Sequence, residues 1–508
     1  MRKFLIVWFS LMIIIYGKSQ NYVPDQEFGI DGIVKIIKNN HYCIAYKIVQ
    51  LQNKKYLCLT YQINEKTNQS TYAIFQINND GSLDQAFGEN GFVEINAGSL
   101  ISKMDFEVYD NDKILAIQSD VNGKIELDFI KENGKKISKK YISPFPNNYI
   151  IPVKISSYNN EFLIGGNYNS KLDDKEHTFL IKLDIEGNID NSFADNGIIL
   201  MEKIVGKNKV FQDFSLSGES IFILTSEVQS DSSVYTKMFK YNSNGNLDQN
   251  FSNAGVFQFH NYYFEDSYNL LLSEENIYIA SKNFPIVLKL NYDGKIDENY
   301  GNSGWAKDDF ILQKMSFPVF PKLMKDNSIL FAGTSKSINL NQIEKAMILK
   351  YTAEGTIDQN FGENGFFYSN IEYPSIFLYS AVDKDNKLVL AGAFEDTSNY
   401  NKSQTFISRY KESSVEVNIK YYNTDMVIFP NPVFNKTLTF VCPENISPKS
   451  YRILDIYGRL IQEGNFVNTS NISNGYEIRL SDDISSNFYF LQILGEELNV
   501  LLKFQKLR

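Results

Sequence analysis

Short apolar runs bounded by Asn, Asp or Gly recur along most of this chain. Seven of them read YLCLTY, ILAIQS, FLIGGN, IFILTS, IYIASK, ILFAGT and LVLAGA, starting at Tyr56, Ile114, Phe162, Ile221, Ile277, Ile329 and Leu388. Their length, their β-branched and aromatic content and their turn-forming flanks predict buried strands. A second block follows each of them in turn: AIFQINNDG at Ala73, LDFIKENG at Leu127, FLIKLDIEG at Phe179, MFKYNSNG at Met238, IVLKLNYDG at Ile286, MILKYTAEG at Met347 and FISRYKES at Phe406. Seven ordered pairs of blocks define seven copies of one β-rich unit.

A turn motif completes the unit. It reads IDQNFGENGF from Ile357, with near copies PDQEFGIDGI from Pro24, LDQAFGENGF from Leu83, IDNSFADNGI from Ile189, LDQNFSNAGV from Leu247 and IDENYGNSGW from Ile296. Its aromatics Phe28, Phe87, Phe193, Phe251, Tyr300 and Phe361 lie 59, 106, 58, 49 and 61 residues apart in succession. The interval of 106 spans two periods, so one copy has decayed. Its site is expected near Lys139 to Ser143, where KKYISPF keeps only an aromatic. Four strands with tight turns occupy roughly 50 residues, the period of a propeller blade. The fold predicted is therefore all-β, a seven-bladed β-propeller.

The glycines point to turns. Gly32, Gly91, Gly197, Gly255, Gly304 and Gly365 fill the second glycine position in every recognisable copy, whereas Ala194 and Ser252 replace glycine at the first. Only the second position is expected to need a positive φ. The Asp three residues before the aromatic suits an Asx turn, and the aromatic suits a wedge between blades. A phosphate cradle would be followed by a helix; alternating residues such as GFVEI from Gly91 predict a strand instead.

These copies resemble the delta-60 repeat, with its LDxxFGxxG core, of bacterial surface and secreted proteins. The resemblance covers residues 24–411 and implies a repetitive β fold, with no shared catalytic residues to transfer.

Composition narrows the possible partners. The chain of 508 residues carries a formal charge of −10, and losing Arg2, Lys3 and Lys18 with a leader would make it −13, so nucleic acid is not an expected partner. Arg2 and Lys3 precede an apolar stretch from Phe4 to Tyr16, then Gly17-Lys18-Ser19. That is the layout of a signal peptide over 1–19 cleaved between Ser19 and Gln20, too short to span a membrane. The expected product is secreted or held at the cell surface, monomeric, and without a transmembrane span.

Candidate chemistry is sparse. Cys43 and Cys58 could pair if their strands are neighbours, but small buried hydrophobes are the favoured reading, with Cys442 unpaired. His41, His177 and His260 share no spacing, so no metal or cofactor is expected. The acidic stretches Asp110-Asn111-Asp112, Asn291-Tyr292-Asp293-Gly294 and Asp383-Lys384-Asp385-Asn386 lack a full calcium loop and read as hairpin turns. No GxSxG, HExxH or Walker loop occurs. Two channel carboxylates of a glycosidase would leave no sequence signature. An aromatic sugar platform at Tyr262, Tyr263 and Phe264 or at Tyr421 and Tyr422 is weighed against packing, which accounts for most aromatics.

The repeats stop after Arg409. Residues 412–426 read as a linker or last strand, and 427–508 as a small Ig-like β-sandwich with alternating strands such as EIRLSDDI from Glu477 and NFYFLQI from Asn487. This end resembles the type A C-terminal sorting domain of the type IX secretion system of Bacteroidota. The resemblance rests on Pro430-Asn431-Pro432, on the turn Asp455-Ile456-Tyr457-Gly458-Arg459, on the Asn487 strand, where a glycine is usual, and on Lys503 and Lys506. It implies the type IX machinery as a partner. The expected function is a surface binding or adhesion module taking a glycan or protein ligand, with a secreted hydrolase or lyase using channel carboxylates as the alternative.

Overall fold

The computed structural model describes residues 21–38, 41–96, 104–171, 175–201, 208–228, 233–260, 267–308, 315–335, 344–362, 364–371, 373–396, 402–413, 427–434, 436–441, 448–455, 460–466, 475–481, 484, 487–494 and 499–507. Every regular element among them is a β-strand. The chain divides into two compact units, one of them Tyr22–Glu412, the other containing Ser413–Arg508.

In the larger unit one sheet pattern recurs. The first sheet runs His41–Gln50, Tyr56–Asn64, Ser70–Ile77, Phe92–Asn96, each strand antiparallel to the one before. Sheets with the same up-and-down order occupy 105–142, 149–200, 208–260, 268–306 and 315–368. The recurring apolar blocks are the second and third strands. Tyr56, Leu57, Cys58 and Leu59 are all buried, as are Ile74 and Phe75. A strand covered on both faces needs apolar side chains at consecutive positions, which is why these blocks do not alternate.

The seventh sheet is assembled from both ends of the unit. Ser375–Val382, Leu388–Asp396 and Lys402–Ser413 supply three strands. Ile33–Ile36 then pairs antiparallel with the third, from Ile33 opposite Ser408 to Ile36 opposite Thr405, and Asn21–Pro24 pairs with that same strand. The last strand ends at Ser413, two residues into the segment read as linker; residues 414–426 lie outside the described set.

The turn motif joins neighbouring sheets by a shared set of devices, of which the third-strand cation is replaced by Gln76 in the copy at Phe87. Its aromatics Phe28, Phe87, Phe193, Phe251, Tyr300 and Phe361 are all buried. The residue after the aromatic donates its N–H to a hairpin carbonyl of the next sheet: Gly29 to Asp80, Gly88 to Asn133, Ala194 to Asn244, Ser252 to Asp293 and Gly301 to Glu354, at 2.8–2.9 Å. The motif Asp accepts the N–H two residues on, as Asp84 does from Ala86 and Asp358 from Asn360, both at 3.1 Å. A cation from the third strand lies over the aromatic and pairs with that Asp. Lys182 does so with Phe193 and Asp190, Lys240 with Phe251 and Asp248, Lys289 with Tyr300 and Asp297, and Lys350 with Phe361 and Asp358.

At the closing sheet the same parts come from opposite chain ends. Arg409 lies 4.6 Å from the centre of the Phe28 ring and donates Nε to Asp25 at 2.7 Å. The backbone repeats the pattern, with Asp25 N–H bonded to the Arg409 carbonyl and Arg409 N–H to that of Gly32. Arg409 also reaches Tyr56 and Asn79 of the first sheet, and Lys387 donates to Asp25 at 2.7 Å. Arg409 and Asp25 are both fully buried, so this paired charge sits inside the core.

Two expectations need correction. Both glycine positions of the motif have positive φ: +52 to +57° at Gly29, Gly88, Gly301 and Gly362, +48° at Ala194 and +45° at Ser252, against +76 to +92° at the second position. Near +50° is the left-handed well that L-residues tolerate, and +90° lies beyond it. Side chains therefore enter only at the first position. They do so with relaxation: the turn bond from the following N–H is 2.7–2.9 Å at Glu89, Ile30 and Asn302 but 3.4 Å at Asp195 and 3.3 Å at Asn253. Second, the decayed copy is not at Lys139 to Ser143. Those residues belong to or adjoin the outer strand Lys136–Ile142, which follows Ile125–Ile130 after a five-residue hairpin, so no turn motif stands between the third and fourth strands of this sheet. Of the aromatics there, Tyr141 is half exposed, and it is Phe145 that is buried.

Cys43 and Cys58 are free and buried, and burial pushes the Cys43 thiol up to about 11. Cys442 lies outside the described residues.

The smaller unit has a three-stranded sheet, Val427–Phe429, Thr437–Val441 and Gly475–Arg479, and a four-stranded one, Leu460–Asn465, Ser450–Asp455, Asn487–Leu494 and Asn499–Lys506. Leu438, Phe440 and Ile478 of the first share one core with Ile453, Leu491, Ile493 and Phe504 of the second. The Asn431–Pro432 peptide is cis. Asn431 Oδ1 accepts from Gln505 N–H at 3.0 Å and its amide donates to the Lys503 carbonyl at 3.2 Å. Asn431, with Val433 bonded to Gln505 and Leu507 through its backbone, thus laces this segment to the last strand.

Candidate functional site: the charged inner face

The first strands of the seven sheets lie against one another in sequence. Contacts link 105–109 to 149–158, 208–217 to 268–272, 315–323 to 375–382, and 375–382 back to 41–50. Their bonding registers define equivalent positions. The fourth residue of each second-strand block pairs with Lys47, Asp105, Lys154, Asp213, Asn269, Phe320 and Tyr379 in sheet order. A register shift falls just before Lys47, Lys154, Asp213, Phe320 and Tyr379. Such bulges re-aim the side chain that follows.

The first four members of this tier alternate in charge. Lys47 donates to Asp105 Oδ1 and the Phe106 carbonyl of the next sheet, both at 2.6 Å. Lys154 repeats this with Asp213 Oδ1 at 2.7 Å and the Phe214 carbonyl at 2.8 Å. Each carboxylate reaches onward with its other oxygen: Asp105 Oδ2 accepts Ile155 N–H at 3.0 Å, and Asp213 Oδ2 accepts Leu270 N–H at 2.8 Å. One carboxylate thus clamps three consecutive sheets. Burial works against the Lys47 ammonium, but Asp105, Tyr379 and Glu107 outweigh it and hold its pKa above the ordinary lysine value.

Two residues on, and so on the same strand face, stand Val49, Glu107, Ser156, Ser215, Leu271, Lys322 and Ala381. All seven are partly accessible. Burial raises the Glu107 pKa against the pull of Lys47 and of Ser157, which donates backbone and hydroxyl to it at 3.2 and 2.8 Å. Burial, then repulsion from Lys154, lowers the pKa of Lys322.

Sequence reading missed this face because it lies in the strand that repeats least. The available signal was charge embedded in apolar runs, as in AYKIV, MDFEV and QDFSL. The residues it did single out are placed elsewhere. His41, His177 and His260 sit in three different sheets, and no group of three His, Cys, Asp or Glu side chains comes together among the described residues. Asp383 and Asn291 cap hairpin turns through their own side chains. Ser19, Gln20, Gly458, Tyr262, Tyr263, Phe264, Tyr421 and Tyr422 lie outside the described residues. Among those described, no helix is long and apolar enough to cross a membrane.

No protein-family model and no curated protein matches the chain. Similar solved structures include an acylaminoacyl peptidase from Pyrococcus horikoshii, 12% identical with a TM-score of 0.42 over 80% of this chain and 59% of that one. The β-propeller domain of the Trilobed protease from Pyrococcus furiosus, which has an open velcro topology, is 11% identical with a TM-score of 0.41 over 75% and 99%. A puromycin-hydrolyzing peptidase from Mycobacterium tuberculosis is 8% identical with a TM-score of 0.42 over 80% and 60%. This chain spans about 59% of the length of the Pyrococcus horikoshii peptidase. Likenesses this remote carry no argument about activity.

Proposed function

We propose that residues 20–411 form a closed seven-bladed β-propeller of delta-60-type repeats acting as a binding or adhesion module at the cell surface. In this reading residues 427–508 are an Ig-like sandwich that serves as a type IX sorting tail. The observation that favours a module over a hydrolase is the engagement of the inner carboxylates. Acid–base cleavage of a glycoside needs two carboxyl groups free to face substrate. Asp105 and Asp213 are each spent on a lysine and a backbone N–H of a neighbouring sheet, and Glu107 is held by Ser157. These groups hold sheets together, and ligand recognition then falls to surfaces around the ring.

A glycan array on the secreted protein tests the ligand class, with binding and no turnover expected; release of reducing ends would defeat the module reading. Truncation after Asp425 tests the address. The shortened protein is expected to fold and remain in the periplasm, and equal amounts of both forms outside the cell would sink the sorting assignment.

A further inference from the structure

The hairpins between first and second strands are laced to their neighbours at four junctions. The Lys384 N–H donates to Gln50 Oε1 at 2.7 Å between the seventh and first sheets, and the Gln52 N–H to Asp112 Oδ1 at 3.1 Å between the first and second. The Tyr158 hydroxyl donates to the Gly218 carbonyl at 3.1 Å between the third and fourth, and that of Tyr292 to Ser217 Oγ at 3.0 Å between the fourth and fifth. Between the second and third sheets the lacing stops at the bond from Ser157 to Glu107. Beyond it, among the described residues, no hydrogen bond joins Tyr109–Lys113 to Tyr158–Phe162. A cavity of about 280 Å³ opens there instead, lined by Tyr109, Asp110, Tyr158, Asn159, Asn160 and Glu161.

We infer that this cavity binds a single neutral sugar ring; the inference rests on the binding-module reading above and gives it a site. The Asn159 and Asn160 amides and the Tyr109 hydroxyl make no hydrogen bond among the described residues, so three polar groups at the cavity are uncommitted. An amide offers two donors and an acceptor in one plane, which matches adjacent hydroxyls that both donate and accept. Tyr109 and Tyr158 add aromatic surface, and each ring is fixed. Tyr109 makes a T-shaped contact with Phe162, ring centres 4.9 Å apart, and Tyr158 is tied to Gly218. Groups already held in place lower the ordering cost of binding. The volume falls below the roughly 300–1,000 Å³ of pockets for drug-sized molecules, which suits one ring. Charge sets the class. Asp110 is paired with Lys113 at 2.6 Å and Glu161 with Lys182 at 2.7 Å, so neither carboxylate awaits a cation. An anionic sugar would meet both carboxylates with no lysine, arginine or histidine among the described lining residues.

The test is titration of the full-length protein with the methyl glycosides of glucose, galactose, mannose and N-acetylglucosamine, followed by saturation-transfer NMR and calorimetry. At least one should bind saturably, at one site per chain, and methyl glucuronide should not compete. Asn159 and Asn160 have φ of +50° and +62°, a backbone that glycine adopts freely, so Asn159→Gly and Asn160→Gly remove an amide without straining the hairpin. Each should weaken binding about tenfold, the worth of one or two hydrogen bonds. Asn327→Gly, also at +62° and in the corresponding hairpin of the sixth sheet, should bind as the wild type does. Equal affinity in the wild type and both pocket variants overturns the site and leaves a glycan-binding module with its ligand elsewhere. Binding of none of the four glycosides overturns it too, whereas the module reading falls only if the protein releases reducing ends from a glycan. Competition by methyl glucuronide as strong as by a neutral glycoside overturns the charge assignment.

Discussion

Two junctions between neighbouring sheets show how far this fold can depart from its own rule. Between the seventh and first sheets the repeat is complete, although its halves lie at opposite ends of the unit: Asp25, Phe28 and Gly29 meet Arg409, Asn79 and Asp80. Between the second and third sheets the chain is continuous and the motif is gone. There Gly187, whose counterparts Gly245 and Gly294 abut motif residues, faces Leu127 and Phe129. Phe145, stacked on Tyr168 at 4.0 Å, fills the space within a core shared with Ile142, Ile150 and Phe179. Continuity in sequence is thus dispensable where the motif survives, and the motif is dispensable where apolar packing replaces it.

The sharpest way to break that comparison is to remove Gln20 to Ile37. Asp25, Phe28 and the strand Ile33–Ile36 go together, so a loss of about 5 kcal/mol or more is expected throughout the larger unit. A trimmed protein that unfolds in denaturant like the intact one would show that closure contributes nothing. Arg409→Met should cost about 3 kcal/mol, because it strands buried Asp25 on Lys387 alone. The same variant has a pH signature. Burial alone would raise the Asp25 pKa, but Lys387, the Glu27 N–H and Arg409 bring it below the ordinary carboxylate value. Its contribution to stability is therefore present at neutral pH and lost as pH falls below that ordinary range. That acid-side decline, followed as a denaturation midpoint against pH, should shrink in Arg409→Met.

Phe145→Ala probes the junction without a motif, and is expected to cost about 3 kcal/mol if packing there replaces the wedge. A change under about 0.5 kcal/mol, the usual size for a surface site, would mean another contact holds those sheets. At an intact turn, Gly365→Ala should destabilise by about 2 kcal/mol and Gly362→Ala by about 1 kcal/mol, since the former lies beyond the left-handed well, whereas a Cβ at 362 meets the Phe366 carbonyl, a clash the turn relieves by lengthening one bond as it does after Ala194 and Ser252. Chemical denaturation giving the reverse order would refute the turn geometry. The smallest effect, within about 1 kcal/mol, is expected for Lys289→Met, which loses a partly exposed ion pair and a cation over Tyr300. A value matching Arg409→Met would erase the distinction between an ordinary junction and the closing one.

What could be read from sequence were the parts that repeat because each copy faces the same surroundings. The second and third strands are buried on both faces in every sheet, so their apolar blocks recur, and the motif aromatic recurs because every intact junction needs a wedge. The inner strands follow a different logic. Lys47 is chosen against Asp105 and Lys154 against Asp213, so complementarity there is pairwise between neighbours and leaves no period. Lys322 could be found only once registers aligned the strands. The positive φ at Ala194 and Ser252 leaves no mark in the sequence for a related reason: a residue other than glycine suggests ordinary backbone, whereas the turn lengthens one hydrogen bond to admit the side chain.

The closing sheet also sets a timetable for the chain. Val34 waits for Ile407, so a strand made early has no neighbour until nearly the whole unit has been synthesised. Pairings this distant in sequence slow folding, since loop closure must precede their reward. Tyr22 and Glu412 end side by side, their side chains 3.4 Å apart. A circular permutant that joins them and opens a hairpin elsewhere would place the first motif directly after its own third strand. Such a permutant should refold to the same set of sheets faster than the natural order does, as stopped-flow refolding would show.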